Sequence, residues 1–236
     1  TVASDTVLVT VNNNPTAAIS GNGTICNGTS TTLTASGGSS YAWSNSLGSN
    51  AAVTVSPTTA TTYTVTVTQN NCSATASQAV TVNQLPVAAI LPASSTICAG
   101  ASATLTASGG TSYLWNTNST TAAITVSPGA TIAYTVTVTD ANGCSATAQR
   151  TVTVNPLPVA AISPSSVAIC LGSSQVLTAS GGASYVWSGN LTANAIQNLS
   201  PSTTTTYTTT VTDANNCSAT ASATITVNST TAAING

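Results

Sequence analysis

Few side chains in this 236-residue sequence can do chemistry: Asp5, Asp140, Asp213, Arg150, six Tyr and six Cys. General acid–base work needs a positioned His, Glu, Asp, Lys, Tyr or Cys of tuned pKa. There is no His, Glu or Lys, and the three Asp are scattered. They cannot assemble a hydrolytic or metal site, and zinc would need CxxC pairs or His that are missing. A single cation cannot neutralise a phosphate backbone, so nucleic acid is excluded. These residues predict no enzyme, no metal and no cofactor. The cysteines remain, and they fall two per period: Cys26/Cys72, Cys98/Cys144 and Cys170/Cys217. Paired, regular spacing reads as a disulfide framework if the chain is exported. Free structural thiols are the bland alternative.

The elements that position them repeat. LTASGG occurs at 33–38, 105–110 and 177–182, spaced by 72 residues each time. A Tyr-x-Trp follows each copy, at Tyr41/Trp43, Tyr113/Trp115 and Tyr185/Trp187. Tyr63, Tyr134 and Tyr207 then open alternating Thr/Val runs, and Cys-Ser-Ala-Thr-Ala follows at Cys72, Cys144 and Cys217. The chain therefore divides into complete repeats at 15–85, 86–157 and 158–228. Residues 1–14 match the last strand of a preceding repeat, and 229–236 the first strand of a following one. The chain reads as a window on a longer array, or as a subunit sharing terminal strands with its neighbours.

Within a repeat the period is two. Tyr63, Val65 and Val67 share one parity, and Thr64, Thr66 and Thr68 the other, as in a half-buried antiparallel strand. Thr is β-branched and suits strands. Gly37-Gly38, Ser56-Pro57 and Asn142-Gly143 supply turns. Thr and Ser make up about a third of the chain, yet 42% is hydrophobic and only 2% charged, which is not a disordered composition. No apolar run is long enough for a transmembrane helix, so no membrane insertion is expected. About seven short strands per repeat give an all-β architecture of tandem immunoglobulin-like Greek-key β-sandwiches in a linear array. Trp43, Trp115 and Trp187 are its expected core anchors, with Tyr63, Tyr134 and Tyr207 in the place of a tyrosine-corner residue. An aromatic-lined sugar groove is the alternative for these rings.

The string C-x-G-x-S-x-x-L-T-A-S-G-G-x-S-Y-x-W, with the Thr/Val run best seen at Ala133–Cys144, resembles the immunoglobulin-like and polycystic-kidney-disease-like repeats of Bacteroidetes surface proteins. It is also similar to the repeats of gliding-motility adhesins. The resemblance covers the whole chain. It implies export, commonly by the type IX route, in long arrays at the cell surface, and it carries over no catalytic residue. Asp5-Thr6-Val7 resembles the Asp-Thr-apolar acceptor of O-glycosylation in that group, which points to Thr6.

In immunoglobulin domains a bridge joins mid-strand B to mid-strand F, and those positions hold Ala35 and Val65. Cys26 precedes strand B near one pole, and Cys72 follows the F–G turn near the other. Each is displaced by roughly 20 Å at ~3.3 Å per residue, whereas bridged Cα atoms lie within ~7 Å. The favoured pairs are therefore Cys26–Cys144 and Cys98–Cys217, between successive repeats. Cys72 would reach back to a preceding repeat and Cys170 forward to a following one. Because the strand order is inferred, pairing within repeats (Cys26–Cys72, Cys98–Cys144, Cys170–Cys217) stays open.

Three functions fit. The first is a structural extracellular region forming a stiff stalk, fibre or filament at a bacterial cell surface. Its partners would be neighbouring repeats or copies of itself, with glycans as a further class. The second is an adhesin or carbohydrate-binding module, for which Ser44–Asn50, Asn116–Thr121 and Ser188–Gln197 depart most from the repeat. The third is an accessory array of a secreted enzyme.

Overall fold

A computed structural model describes residues 5–228. The first repeat contains β1 (Ala18–Ser20), β2 (Thr24–Cys26), β3 (Thr31–Ser36), β4 (Ser40–Trp43), β5 (Ala52–Val55), β6 (Thr61–Gln69) and β7 (Cys72–Asn83). The second contains β8 (Ala89–Leu91), β9 (Ser95–Cys98), β10 (Ala103–Ser108), β11 (Ser112–Trp115), β12 (Ala123–Val126), β13 (Ile132–Thr139) and β14 (Ser145–Asn155). The third contains β15 (Ala161–Ser163), β16 (Ser166–Cys170), β17 (Gln175–Ser180), β18 (Ser184–Trp187), β19 (Ile196–Leu199), β20 (Thr205–Thr212) and β21 (Ser218–Asn228). A single 3₁₀ turn at Ser188–Asn190 is the only helical piece among the described residues. The protein is all-β, with three immunoglobulin-like sandwiches following one another along the chain.

Each repeat forms a three-stranded and a four-stranded sheet. The orders are β1-β3-β5 with β2-β7-β6-β4, β12-β10-β8 with β11-β13-β14-β9, and β15-β17-β19 with β16-β21-β20-β18. The opening strand is split between the sheets: Ile19 pairs antiparallel with Ala35, while Ile25 pairs parallel with Val82. The switch occurs at Gly21, whose φ of +144° excludes side chains and where a Cβ would stand 2.5 Å from the Thr32 carbonyl oxygen.

The period-two reading matches the burial. Leu33, Val65, Val67 and Val80 are fully buried, with Trp43 and Tyr63 beside them in one cluster. The third repeat builds the same core from Leu177, Ala179, Trp187, Leu199 and Ile225, with Tyr207 half-buried against it. Trp115 and Tyr134 are buried in the second. Thr209 interrupts the pattern. It holds the place of Val65 and Val136 yet is completely buried, and its hydroxyl reaches only the Val186 carbonyl at 3.4 Å.

The tyrosine hydroxyl bonds to backbone belong to other residues than those expected. Tyr41, Tyr113 and Tyr185 donate to the carbonyls of Gly38, Gly110 and Gly182 at 2.9, 2.9 and 3.0 Å. They sit three residues past the glycine, close enough to lock the turn that enters their own strand. Tyr63, Tyr134 and Tyr207 contribute ring packing instead.

The chain falls into two compact bodies. The first holds the chain through Ala89 with Ala107–Leu114 and Val136–Ala148, and the second holds Ile90–Thr106, Trp115–Thr135 and the chain from Gln149. Thr6–Asn12, expected as the last strand of a preceding repeat, carries no strand here, and Val7, Leu8, Val9 and Val11 are exposed. In the first repeat the corresponding strand, β7, is held antiparallel by β6 and parallel by β2 of its own repeat. Residues 229–236, expected to open a following repeat, lie outside the described residues.

Candidate functional site: the cysteine junctions

The first body contains the junction between the first and second repeats. β2 ends on Cys26, in register with Asn83 at the end of β7. The Asn27 N–H donates to the Asn83 carbonyl at 2.8 Å, and the Thr29 hydroxyl donates to the Cys26 carbonyl at 2.8 Å. These bonds hold the half-cystine beside the linker that begins at Gln84. Across from it stands Cys144, and the two are joined, with Cα atoms 5.6 Å apart. Cys144 is held from its own side by the Asp140 carboxylate, which accepts from the N–H groups of Asn142 and Cys144, each at 2.9 Å.

The second body repeats this arrangement between the second and third repeats. Cys98 is in register with Asn155, and the Ala99 N–H donates to the Asn155 carbonyl at 2.8 Å. Cys98 is bonded to Cys217, with Cα atoms 5.5 Å apart. Asp213 accepts from Asn215 and Cys217 at 2.8 and 2.9 Å. The bridges close 118 and 119 residues of separation, and loops of that length are worth about 5 kcal/mol each in the chain-entropy model. The pairing within repeats is not formed. Asp140 and Asp213 are turn formers, each accepting two backbone N–H groups of its own turn.

Cys72 and Cys170 are free, the first partly buried and the second exposed. The turn before Cys72 is one residue shorter than its counterparts, and Gln69 replaces the Asp. Asn70 and Asn71 both take positive φ, 46° and 62°, as a two-residue hairpin of type I′ requires. The Cys72 thiol lies 3.6 Å from the Asn12 carbonyl oxygen, and the Asn12 side chain donates to the Asn70 carbonyl at 3.2 Å.

The three divergent loops do not stand free of the core. Each supplies the carbonyl that accepts the indole N–H of its tryptophan: Asn50 for Trp43, Thr121 for Trp115 and Asn194 for Trp187, all at 2.9 Å. A buried indole donor needs such a partner. Gln197 adds a second tie, buried and donating to the carbonyls of Thr192 at 2.7 Å and Asn194 at 3.0 Å. A shallow groove in the second body runs along Thr117, Thr121 and Thr125. Trp43, Trp115, Trp187, Tyr63 and Tyr134 are buried in the core rather than lining a groove, and Tyr207 packs half-buried against it.

Among the described residues no three His, Cys, Asp or Glu side chains gather, and no helix is long and apolar enough to cross a membrane. Thr6 is exposed. Arg150, on β14, spends its guanidinium on the carbonyls of Ala93 and Ile90. The sequence shows Arg150 only as a lone cation, whereas it fastens β14 to β8 and to the segment that follows β8.

No family model matches the chain, and no curated protein matches it. Among solved structures it is similar to a three-domain I-band fragment of titin, at 14% identity and a TM-score of 0.42, covering 92% of this chain and 100% of that one. It is also similar to three N-terminal domains of the bacteriophage RB49 highly immunogenic outer capsid protein, at 16% identity and a TM-score of 0.38 over 92% and 100%. A bacterial ice-binding adhesin follows at 13% identity and a TM-score of 0.36 over 92% and 99%.

Proposed function

We propose that this chain is a non-catalytic repeat region that works mechanically outside the cell, as a stiff stalk, fibre or filament at a bacterial surface. The observation that carries this reading is the placement of both disulfides between successive repeats, each beside the linker it braces. Interfaces between linked domains are normally small and permit relative motion. A covalent tie next to a short linker removes that freedom, and Pro86 and Pro158 stiffen the chain further. Disulfides persist in oxidising compartments, which supports an exported chain. The repeat's likeness to Bacteroidetes surface repeats supports the type IX route, with copies of the repeat as the partners and glycans on exposed hydroxyls such as Thr6.

Antibody labelling of native cells under the electron microscope tests this reading. Label on surface fibres with a regular axial repeat is expected; label confined to the cytoplasm overturns it. A second reading, an adhesin or carbohydrate-binding module, is favoured by the groove along Thr117, Thr121 and Thr125 in a loop that departs from the repeat. Glycan-array binding lost on Thr121→Ala would establish it.

A further inference from the structure

We propose that Cys170 and Cys72 are the two halves of an intermolecular disulfide, and that the partner of each is a second copy of this chain joined head to tail. This rests on the fibre reading above and names its partner.

The repeat supplies the argument. Cys26 and Cys98 occupy one position of the repeat and donate a thiol forward; Cys144 and Cys217 occupy the other and receive it. Cys170 is presented as Cys26 is: it ends β16 in register with Asn228, the Leu171 N–H donates to the Asn228 carbonyl at 3.1 Å, and the Ser173 N–H donates to the Cys170 carbonyl at 3.0 Å. Cys72 holds the receiving position at the start of β7. A segment of the same chain already lies beside it. Asn12 ends the segment TVLVTVN, as Asn228 ends β21 with ITVN, and Asn12 packs on Cys72 and Asn70. The pole of the first repeat thus accepts the Asn that ends this TVN segment, with no cysteine beside it. A second copy brings both, Asn228 and the adjacent Cys170.

One donor and one receiver per chain make the contact heterologous, so it propagates rather than closing on a dimer. The oxidant is a small disulfide such as oxidised glutathione. One thiolate attacks it, releasing reduced glutathione and leaving a mixed disulfide. The second thiolate displaces the remaining glutathione, so that two thiols become one disulfide while one glutathione disulfide becomes two thiols.

The experiment incubates the whole chain in a glutathione redox buffer and reads its size on non-reducing gels. The wild type is expected to give a ladder of 22.9-kDa multiples that collapses on reduction. C72S and C170S alone are expected to stay monomeric, and their equimolar mixture is expected to stop at a dimer. Homodimers in C72S alone, formed as fast as the mixed dimer, would overturn the head-to-tail pairing. So would a wild type that stays monomeric with both thiols titratable. That second outcome leaves the fibre reading intact for a single long chain, because the internal bridges would remain.

Discussion

The Cys217 backbone N–H donates to the Asp213 carboxylate at 2.9 Å, and Cys144 makes the same bond to Asp140 at the same distance. In both repeats the acceptor lies four residues before the half-cystine, across a tight turn. The pair holds the backbone of the receiving half-cystine in place. A carboxylate accepting two backbone N–H groups is a charge-assisted contact of greater strength than a neutral one.

Asp140→Ala should therefore loosen the first bridge without touching the second. Loss of these bonds is worth about 1–2 kcal/mol, or about a fivefold to thirtyfold shift in the thiol–disulfide equilibrium. Titration with glutathione checks it, with Cys98–Cys217 as the internal reference. Asp140→Asn, which keeps an acceptor oxygen, should recover most of the loss. Equal reducibility of both bridges in Asp140→Ala would sink the assignment.

Arg150 offers trypsin its only site, since the chain has one basic residue. It sits inside β14, and its guanidinium is engaged by Ala93 and Ile90. Cleavage of the oxidised protein should be slow. The bridges also overlap: Cys26–Cys144 and Cys98–Cys217 together span every peptide bond from 26 to 217. A single nick in that span cannot release a fragment. Nicked protein should run at full size on a non-reducing gel and split only after reduction. Separation without reductant would contradict the pairing.

Thr209→Val should stabilise the third repeat. The buried hydroxyl makes one long bond at 3.4 Å, and valine has the same shape and occupies that place in the other two repeats. Removing a poorly satisfied buried polar group at constant volume is expected to contribute up to about 1 kcal/mol. Thermal denaturation of the variant measures it, and a lower midpoint would show that the hydroxyl is better satisfied than its geometry indicates.

The sandwich and its core were readable because period-two patterning and a 72-residue repeat are local, redundant signals. Leu33, Val67 and Trp43 declare themselves three times over. The poles were partly readable: Ala35 and Val65 occupy the usual bridge site, which moves the cysteines away from it, while their pairing stayed open in the sequence. What escaped were contacts that depend on three-dimensional closeness between unlike residues. Nothing in the sequence marks Tyr41 rather than Tyr63 as the residue bonding the glycine turn. The split of the opening strand also rests on one backbone torsion at Gly21. Arg150 looks like a stray charge until Ala93 and Ile90 are placed beside it.

Mechanical extension gives the last expected outcome. When a fully oxidised chain is pulled by its ends, force runs from the N-terminus to Cys26 and crosses to Cys144. It then returns along the backbone to Cys98, crosses to Cys217 and leaves by the C-terminus. Only about 90 residues lie on that path, so even complete unfolding extends the chain to about 340 Å at ~3.6 Å per residue. The reduced chain, with all 236 residues on the path, should reach about 850 Å. Removing either bridge alone, as C26S/C144S or C98S/C217S, should give about 420 Å in both cases, because the overlapping loops substitute for one another. Bridges within repeats would instead leave C26S/C144S near 700 Å, with one short loop still closed. Single-molecule pulling measures these lengths directly. An oxidised wild-type extension near that of the reduced chain would remove the mechanical argument, since the overlapped bridges are what would let the chain bear load after its sheets have given way.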